Sequence, residues 1–143
     1  MTQASTFKTA WGWVTVTASA KGVTSIDLSP TARAAHHEPL GDDAATSIVK
    51  EAQAQLLSYL DGDRRDFSLP LDWSGGTSFQ RKVWKAIKRI PYGRVRSYQW
   101  VAMRVGGKQY ARAVGMALGA NPIPIVVPCH RIIAHDGSLG GFS

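Results

Sequence analysis

The sequence predicts an α+β protein: a small strand-rich N-terminal lobe, with an antiparallel sheet plus a helix, and a helical C-terminal lobe with a helix-turn-helix. Three observations carry this. Alternating β-branched and aromatic residues lie near the start of the chain, apolar residues at helical spacing dominate after Thr77, and Ser74-Gly75-Gly76 separates the two regimes. A chain of 143 residues fits one domain or two small lobes. The lobes are set at 1–73 and 77–143.

Each element follows from local chemistry. Trp11–Thr17 alternates as a strand, Ala18–Gly22 turns, and Val23–Leu28 alternates again, which makes a hairpin. Ser29–Gly41 reads as a loop. Asp42 and Asp43 lead a helix to about Leu60, with Ile48, Ala52, Leu56, Leu57 and Leu60 on its apolar face. Phe67–Leu71 reads as an edge strand, because Pro70 cannot donate a ladder bond. In the second lobe, Thr77 or Ser78 caps a helix to about Arg89. Phe79, Val83, Ile87 and Ile90 form its core stripe, Lys82, Lys85 and Arg89 lie on other faces, and Pro91 stops it. Ser97 caps a short helix, Tyr98–Val105, that ends at Gly106-Gly107. A third helix runs from about Gln109 to Ala120. Two short helices about a glycine turn form the helix-turn-helix pattern. The last helix is thin, rich in Ala and Gly, so it suits either a deep core position or close approach to a nucleic-acid backbone.

Charge is distributed unevenly. The chain holds 17 Lys+Arg and 10 Asp+Glu, a net +7. Residues 1–72 carry six bases and nine acids, whereas residues 73–143 carry eleven bases and one acid, Asp136. A half-chain with that field suits a polyanion, nucleic acid above all, or else forms a solvated basic face that aids solubility. At 44% hydrophobic residues, global disorder is excluded. No apolar run is long enough for a membrane span, and the start lacks a secretory pattern, so a cytoplasmic protein is expected. One cysteine excludes an internal disulfide framework and a cysteine-rich zinc site.

That cysteine sits in Asn121–Ile133, NPIPIVVPCHRII. Its prolines forbid a helix and restrict the backbone ahead of Cys129. A lone cysteine is commonly an inert buried hydrophobe. Here His130 and Arg131 follow directly in a segment without acids, and positive charge favours the reactive thiolate.

Pro128-Cys129-His130-Arg131-Ile132, preceded by Asn121-Pro122-Ile123-Pro124, resembles the active-site signature of O6-alkylguanine-DNA alkyltransferases. The similarity extends upstream through Phe79-Gln80, Val83-Trp84, Ile90-Pro91-Tyr92-Gly93, Ser97-Tyr98-Gln99 and Ala111-Arg112-Ala113-Val114-Gly115, and onward to Gly140-Gly141. Residues 77–143 resemble the family closely and residues 7–72 only loosely.

The resemblance implies a protein that enters the minor groove of double-stranded DNA and flips out O6-alkylguanine, or O4-alkylthymine. It then takes the alkyl group irreversibly on its own cysteine. Cys129 is the implied nucleophile, His130 its base through a bridging water, and Tyr98 the proton donor to the departing guanine. Asn121 braces the loop, Cys129 and Ile132 offer carbonyls to the guanine amino group, and Ser143 places a backbone donor near O6. Arg112 fills the vacated stack, and Ser97, Gln99, Ala111 and Arg131 complete the implied DNA surface. No cofactor is expected, and the protein is read as a monomer. Some members hold zinc through cysteines of the first lobe. With none there, no metal is expected, and His36-His37 are too few ligands.

The pattern departs from the family in two places. Phe142 stands where many members carry tyrosine, and the family's next helix, with a glutamate that orients the histidine, would follow Ser143; it is expected to be missing. Two other functions fit parts of the sequence. A non-catalytic relative that recognises alkylated guanine would replace the cysteine, which is present here. A regulator unrelated to repair gives the Pro-rich PCHR loop no role.

Overall fold

Strands β1 (Gln3–Thr9), β2 (Gly12–Ala18) and β3 (Val23–Ser29) form an antiparallel meander in the order β1-β2-β3 of this computed structural model. It describes residues 2–10, 12–29 and 43–133; the expected loop beyond Ser29 lies outside them. The chain divides into two compact units, Met1–Trp73 and Ser74–Ser143.

In the first unit the hairpin forms as its alternation predicts. Val14, Val16 and Ala18 of β2 are buried on one face, with Phe7 opposite Val14 and Ile26 opposite Val16. The register shifts between Thr17 and Ala18, and Thr24 Oγ1 donates to the Thr17 carbonyl there. Strand β1 was absent from the sequence expectation. Its Ser5, Thr6 and Phe7 are all buried, so it lacks the two-residue alternation that marks a half-buried strand.

Helix α1 (Ala44–Leu60) packs on this sheet. Asp43 caps it, its carboxylate accepting from the Thr46 N–H at 2.9 Å, and Gly62 leaves it at φ +84°. Its buried face is Ala45, Thr46, Val49, Ala52, Gln55 and Leu56. The expected face is thereby rotated: Ile48, Leu57 and Leu60 are only half-buried. Ser5 Oγ donates to Gln53 Oε1 at 2.6 Å, tying β1 to α1.

Phe67–Leu71 is not the edge strand expected; only Leu71 bridges, in parallel, to Val23. Gln55 explains the difference. Its amide is buried, accepts from the Ser68 N–H at 3.0 Å and from Arg64 at 3.2 Å, and donates to Glu51 at 2.8 Å. The Ser68 N–H is therefore bound to a side chain and Pro70 has none to give, so no ladder can run through the segment. Its end is held by Val23 N–H to the Pro70 carbonyl and Asp72 N–H to the Val23 carbonyl. Gly22 passes so close that a Cβ there would lie 2.7 Å from Pro70 C and O.

In the second unit, α2 (Ser78–Lys88) starts at a capping box in which Thr77 and Gln80 satisfy each other's backbone N–H. Val83, Trp84 and Ile87 are its buried residues, Ile90 is buried just beyond, and Phe79 is half-buried. The Trp84 indole N–H donates to the Ala117 carbonyl at 2.9 Å inside the core. Helix α3 (Tyr98–Val105) is capped by Ser97, whose hydroxyl accepts from the Trp100 N–H at 3.0 Å. After Gly106-Gly107 a 3₁₀ turn, Lys108–Tyr110, leads into α4 (Ala111–Gly119). Helix α4 buries Val114, Ala117 and Leu118. Burying each Val or Leu contributes roughly 1.5–3 kcal/mol relative to exposure. Among the described residues no helix is long and apolar enough to cross a membrane.

Candidate active site

The short strand β4 (Arg96–Ser97) pairs in parallel with β5 (Ile132–Ile133), Arg96 with Ile132 and Ser97 with Ile133. No local signal announced this pairing, and it decides the site. The turn Cys129–Arg131 runs directly into β5, so its backbone is brought beside the start of α3, where Tyr98 stands.

The loop ahead of Cys129 is held from within. Asn121 Nδ2 donates to the Val127 carbonyl at 3.0 Å, and Asn121 Oδ1 accepts from the Ile123 N–H at 2.9 Å. Val127 N–H donates to the Ile123 carbonyl, and Val126 N–H to the Pro124 carbonyl. Ile125 adopts φ +74°, a conformation that a β-branched residue pays about 1–3 kcal/mol to hold. Ile123, Val126 and Val127 are buried, anchoring the loop to the core.

On the far side of Cys129, Arg131 Nη1 donates to the Ile90 carbonyl at 2.7 Å, at the end of α2, and its guanidinium lies 5.7 Å from the Tyr92 ring centre. The Arg131 N–H donates to the Pro128 carbonyl, closing the 3₁₀ turn. Arg131, expected on the DNA surface, also braces the turn through these contacts. Neither the Ile90 carbonyl nor the Ile125 conformation had any signal in composition or spacing.

His130 is exposed, yet its imidazole titrates below the ordinary 6.5. Flanking protein atoms strip part of its hydration, and the adjacent Arg131 charge opposes a second cation. It is therefore neutral near pH 7 and able to accept a proton. Tyr98 is half-buried, its ring against α4 where a Cβ on Gly115 would lie 3.9 Å from Cε1. A methyl at residue 115 would meet that ring at ordinary van der Waals distance.

The remaining expected residues occupy helix starts or the second short strand. Ser97 and Ala111 are half-buried, whereas Gln99 and Arg112 are exposed early in α3 and α4. Ile132 contributes its backbone to β5. Ser143, Phe142, Gly140-Gly141 and His36-His37 lie outside the described residues. Among the described residues no group of three or more His, Cys, Asp and Glu could hold a metal ion.

Residues 78–143 match the family described as 6-O-methylguanine DNA methyltransferase, DNA binding domain, and residues 4–73 match its ribonuclease-like domain. The crystal structure of Mycobacterium tuberculosis OGT in complex with DNA is 38% identical to this chain, covering 98% of it and 83% of the solved chain, with TM-score 0.79. The chain belongs to the 6-O-methylguanine DNA methyltransferase family. Among relatives in this methyltransferase family, the constitutive methylated-DNA–protein-cysteine methyltransferase of Bacillus subtilis (strain 168) is 49% identical over 98 residues. The match covers 68% of this chain and 59% of that protein. The methylated-DNA–protein-cysteine methyltransferase of Methanosarcina acetivorans is 45% identical over 96 residues, 67% of this chain and 61% of its own. The chain thus spans less than two thirds of the length of these curated methyltransferases.

Proposed function

We propose that this protein repairs DNA by passing the alkyl group of O6-alkylguanine, and of O4-alkylthymine, to Sγ of Cys129. Family membership supports the reaction class. One observation carries it to this chain: the sole cysteine stands in a turn clasped by Asn121 on one side and Arg131 on the other, beside the start of α3. No carboxylate occurs in the sequence between Trp73 and His135, and His130 and Arg131 follow the cysteine directly.

In this proposal neutral His130 takes the thiol proton through a bridging water. The thiolate forms an S–C bond as the C–O6 bond breaks, and the electron pair stays with the base. The Tyr98 hydroxyl gives the departing guanine a proton, and the proton taken up by His130 restores the balance through solvent. Carbonyls of Cys129 and Ile132 accept from the guanine amino group, and Ser143 donates to O6. A thioether has no comparable leaving group, so each molecule acts once and needs no cofactor.

Helices α3 and α4 serve as the helix-turn-helix that enters the minor groove of duplex DNA. Arg112 occupies the stack after the nucleotide flips, at a cost of a few kcal/mol. Ser97, Gln99 and Ala111 meet the backbone, and Arg131 supports the turn. The protein acts as a monomer.

Intact mass after incubation with a duplex carrying one O6-methylguanine tests this. One added methylene, mapped to Cys129 and saturating at one per protein, is expected; tight binding without mass gain would refute transfer. Arg112→Ala should slow repair in duplex DNA at least about tenfold while sparing reaction with free O6-alkylguanine base, by loss of the stack-filling side chain. Equal losses on both would remove Arg112 from flipping.

A further inference from the structure

The basic residues of α2 share one groove with those of α3. Lys82 and Lys85 of α2 and Arg89 at its C-cap recur at helical spacing, and Arg96, Trp100 and Arg104 form a stripe along β4 and α3. The two stripes face each other across a groove of about 650 Å³. Its apolar lining includes Ala86, Ile90 and Pro91. The Arg104 and Arg96 guanidiniums lie 4.8 and 5.3 Å from the Trp100 ring centre, which orders them against the indole. With no acid between Trp73 and His135, neighbouring sequence offers these cations no carboxylate.

This groove is distinct from the proposed reaction surface. Trp100 is two residues from Tyr98, about 200° around the helix axis. Since the Tyr98 ring faces Gly115 of α4, Trp100 points to the other side of α3. A duplex would present phosphates to the cations, but its stacked bases could not reach an indole or an apolar floor. An acidic peptide would satisfy the cations and likewise leave the indole unused. An unstacked strand matches both features, because successive phosphates follow the cations while a base stacks or packs on apolar surface.

We propose that the groove between α2 and α3 binds single-stranded nucleic acid, phosphates on the two cationic stripes and a base against Trp100 and the apolar floor. This places a second nucleic-acid site on the lobe, independent of alkyl transfer.

The test uses the full chain and an oligothymidylate carrying 5-iododeoxyuridine, irradiated and mapped by peptide mass. A cross-link to Trp100 is expected, retained in Arg112→Ala and lost in the double variant Lys85→Gln/Arg104→Gln. Both substituted residues are exposed, so the fold should persist, and a thermal melt checks it. By fluorescence anisotropy the double variant should lower the salt slope for a single strand by about 1.4, and Trp100→Ala should weaken binding about 5- to 150-fold, with Trp100→Phe restoring most of it. Methyl transfer by the double variant should stay at the wild-type rate. Cross-links confined to α4 peptides, or unchanged in the double variant, would overturn the proposal. So would equal competition by polyglutamate, or stronger competition by duplex than by single strand.

Discussion

Asn121→Ala removes both arms of the clasp ahead of Cys129. It leaves the Ile123 N–H and the Val127 carbonyl unpaired, in residues with 0% exposure. Each buried group left unpaired costs about 1–3 kcal/mol. Partial relaxation of Ile125 from its positive φ returns up to about 1–3 kcal/mol. The net expectation is a loss of about 2–3 kcal/mol in a urea melt, after offsetting these two effects. For a chain of this size that lowers Tm by roughly 6–10 °C. Asn121→Asp sharpens the test. Its carboxylate still accepts from Ile123 but repels the Val127 carbonyl, and only the protonated acid can donate to it. The Asp in the folded protein therefore has a raised pKa, and its deficit relative to wild type should narrow as pH falls from 7 toward 4.5, close to the ordinary carboxylate range of about 3.9. A loss below about 0.5 kcal/mol for the alanine variant, within the range of an ordinary surface change, would refute the clasp. A pH-independent deficit for the aspartate variant would refute the role of the Val127 bond.

Other consequences are as specific. Gly22→Ala sets a methyl 2.7 Å from Pro70 backbone atoms, which must move, so unfolding by urea should show a loss of about 1–3 kcal/mol. Thr77→Ala removes the α2 capping box and should cost about 1 kcal/mol, with Thr77→Ser restoring it; no change would mean that water replaces the cap. NMR titration of His130 should give a midpoint below 6.5, rising partway in Arg131→Gln because the partial loss of hydration, the larger cause, remains. Because the folded pKa is the lower one, its stabilising contribution is complete above 6.5 and fades as pH drops toward the folded midpoint. A midpoint at or above 6.5 would contradict the described surroundings.

Much of the fold was legible because its signals are local. Alternation gives the β2–β3 hairpin, Thr77 and Ser97 announce their helices, and Gly106-Gly107 marks the turn between α3 and α4. What escaped depends on partners distant in sequence. β1 is buried at three successive positions, so alternation could not reveal it. α1 turns toward Val49 and Gln55 rather than Ile48 and Leu57, because the sheet and the Ser68 amide select that face. At the proposed site, Cys129, His130 and Tyr98 are named by a motif and a resemblance alone. Their assembly rests on a β4–β5 pair of two residues each and on an Arg131 bond to a backbone carbonyl, neither of which has a periodicity to read.

That short parallel pair also sets an order of events. Joining Arg96 to Ile132 closes a long stretch of chain for only two paired positions, so loop-closure entropy is met before much is gained. Helices α2, α3 and α4 need no such closure and can form their shared core first. The cysteine-bearing turn is then expected to assemble last in the lobe and to open first. Its amides should exchange with solvent deuterium sooner than those of Val83 or Leu118, which would put the proposed nucleophile on the least protected edge of the lobe.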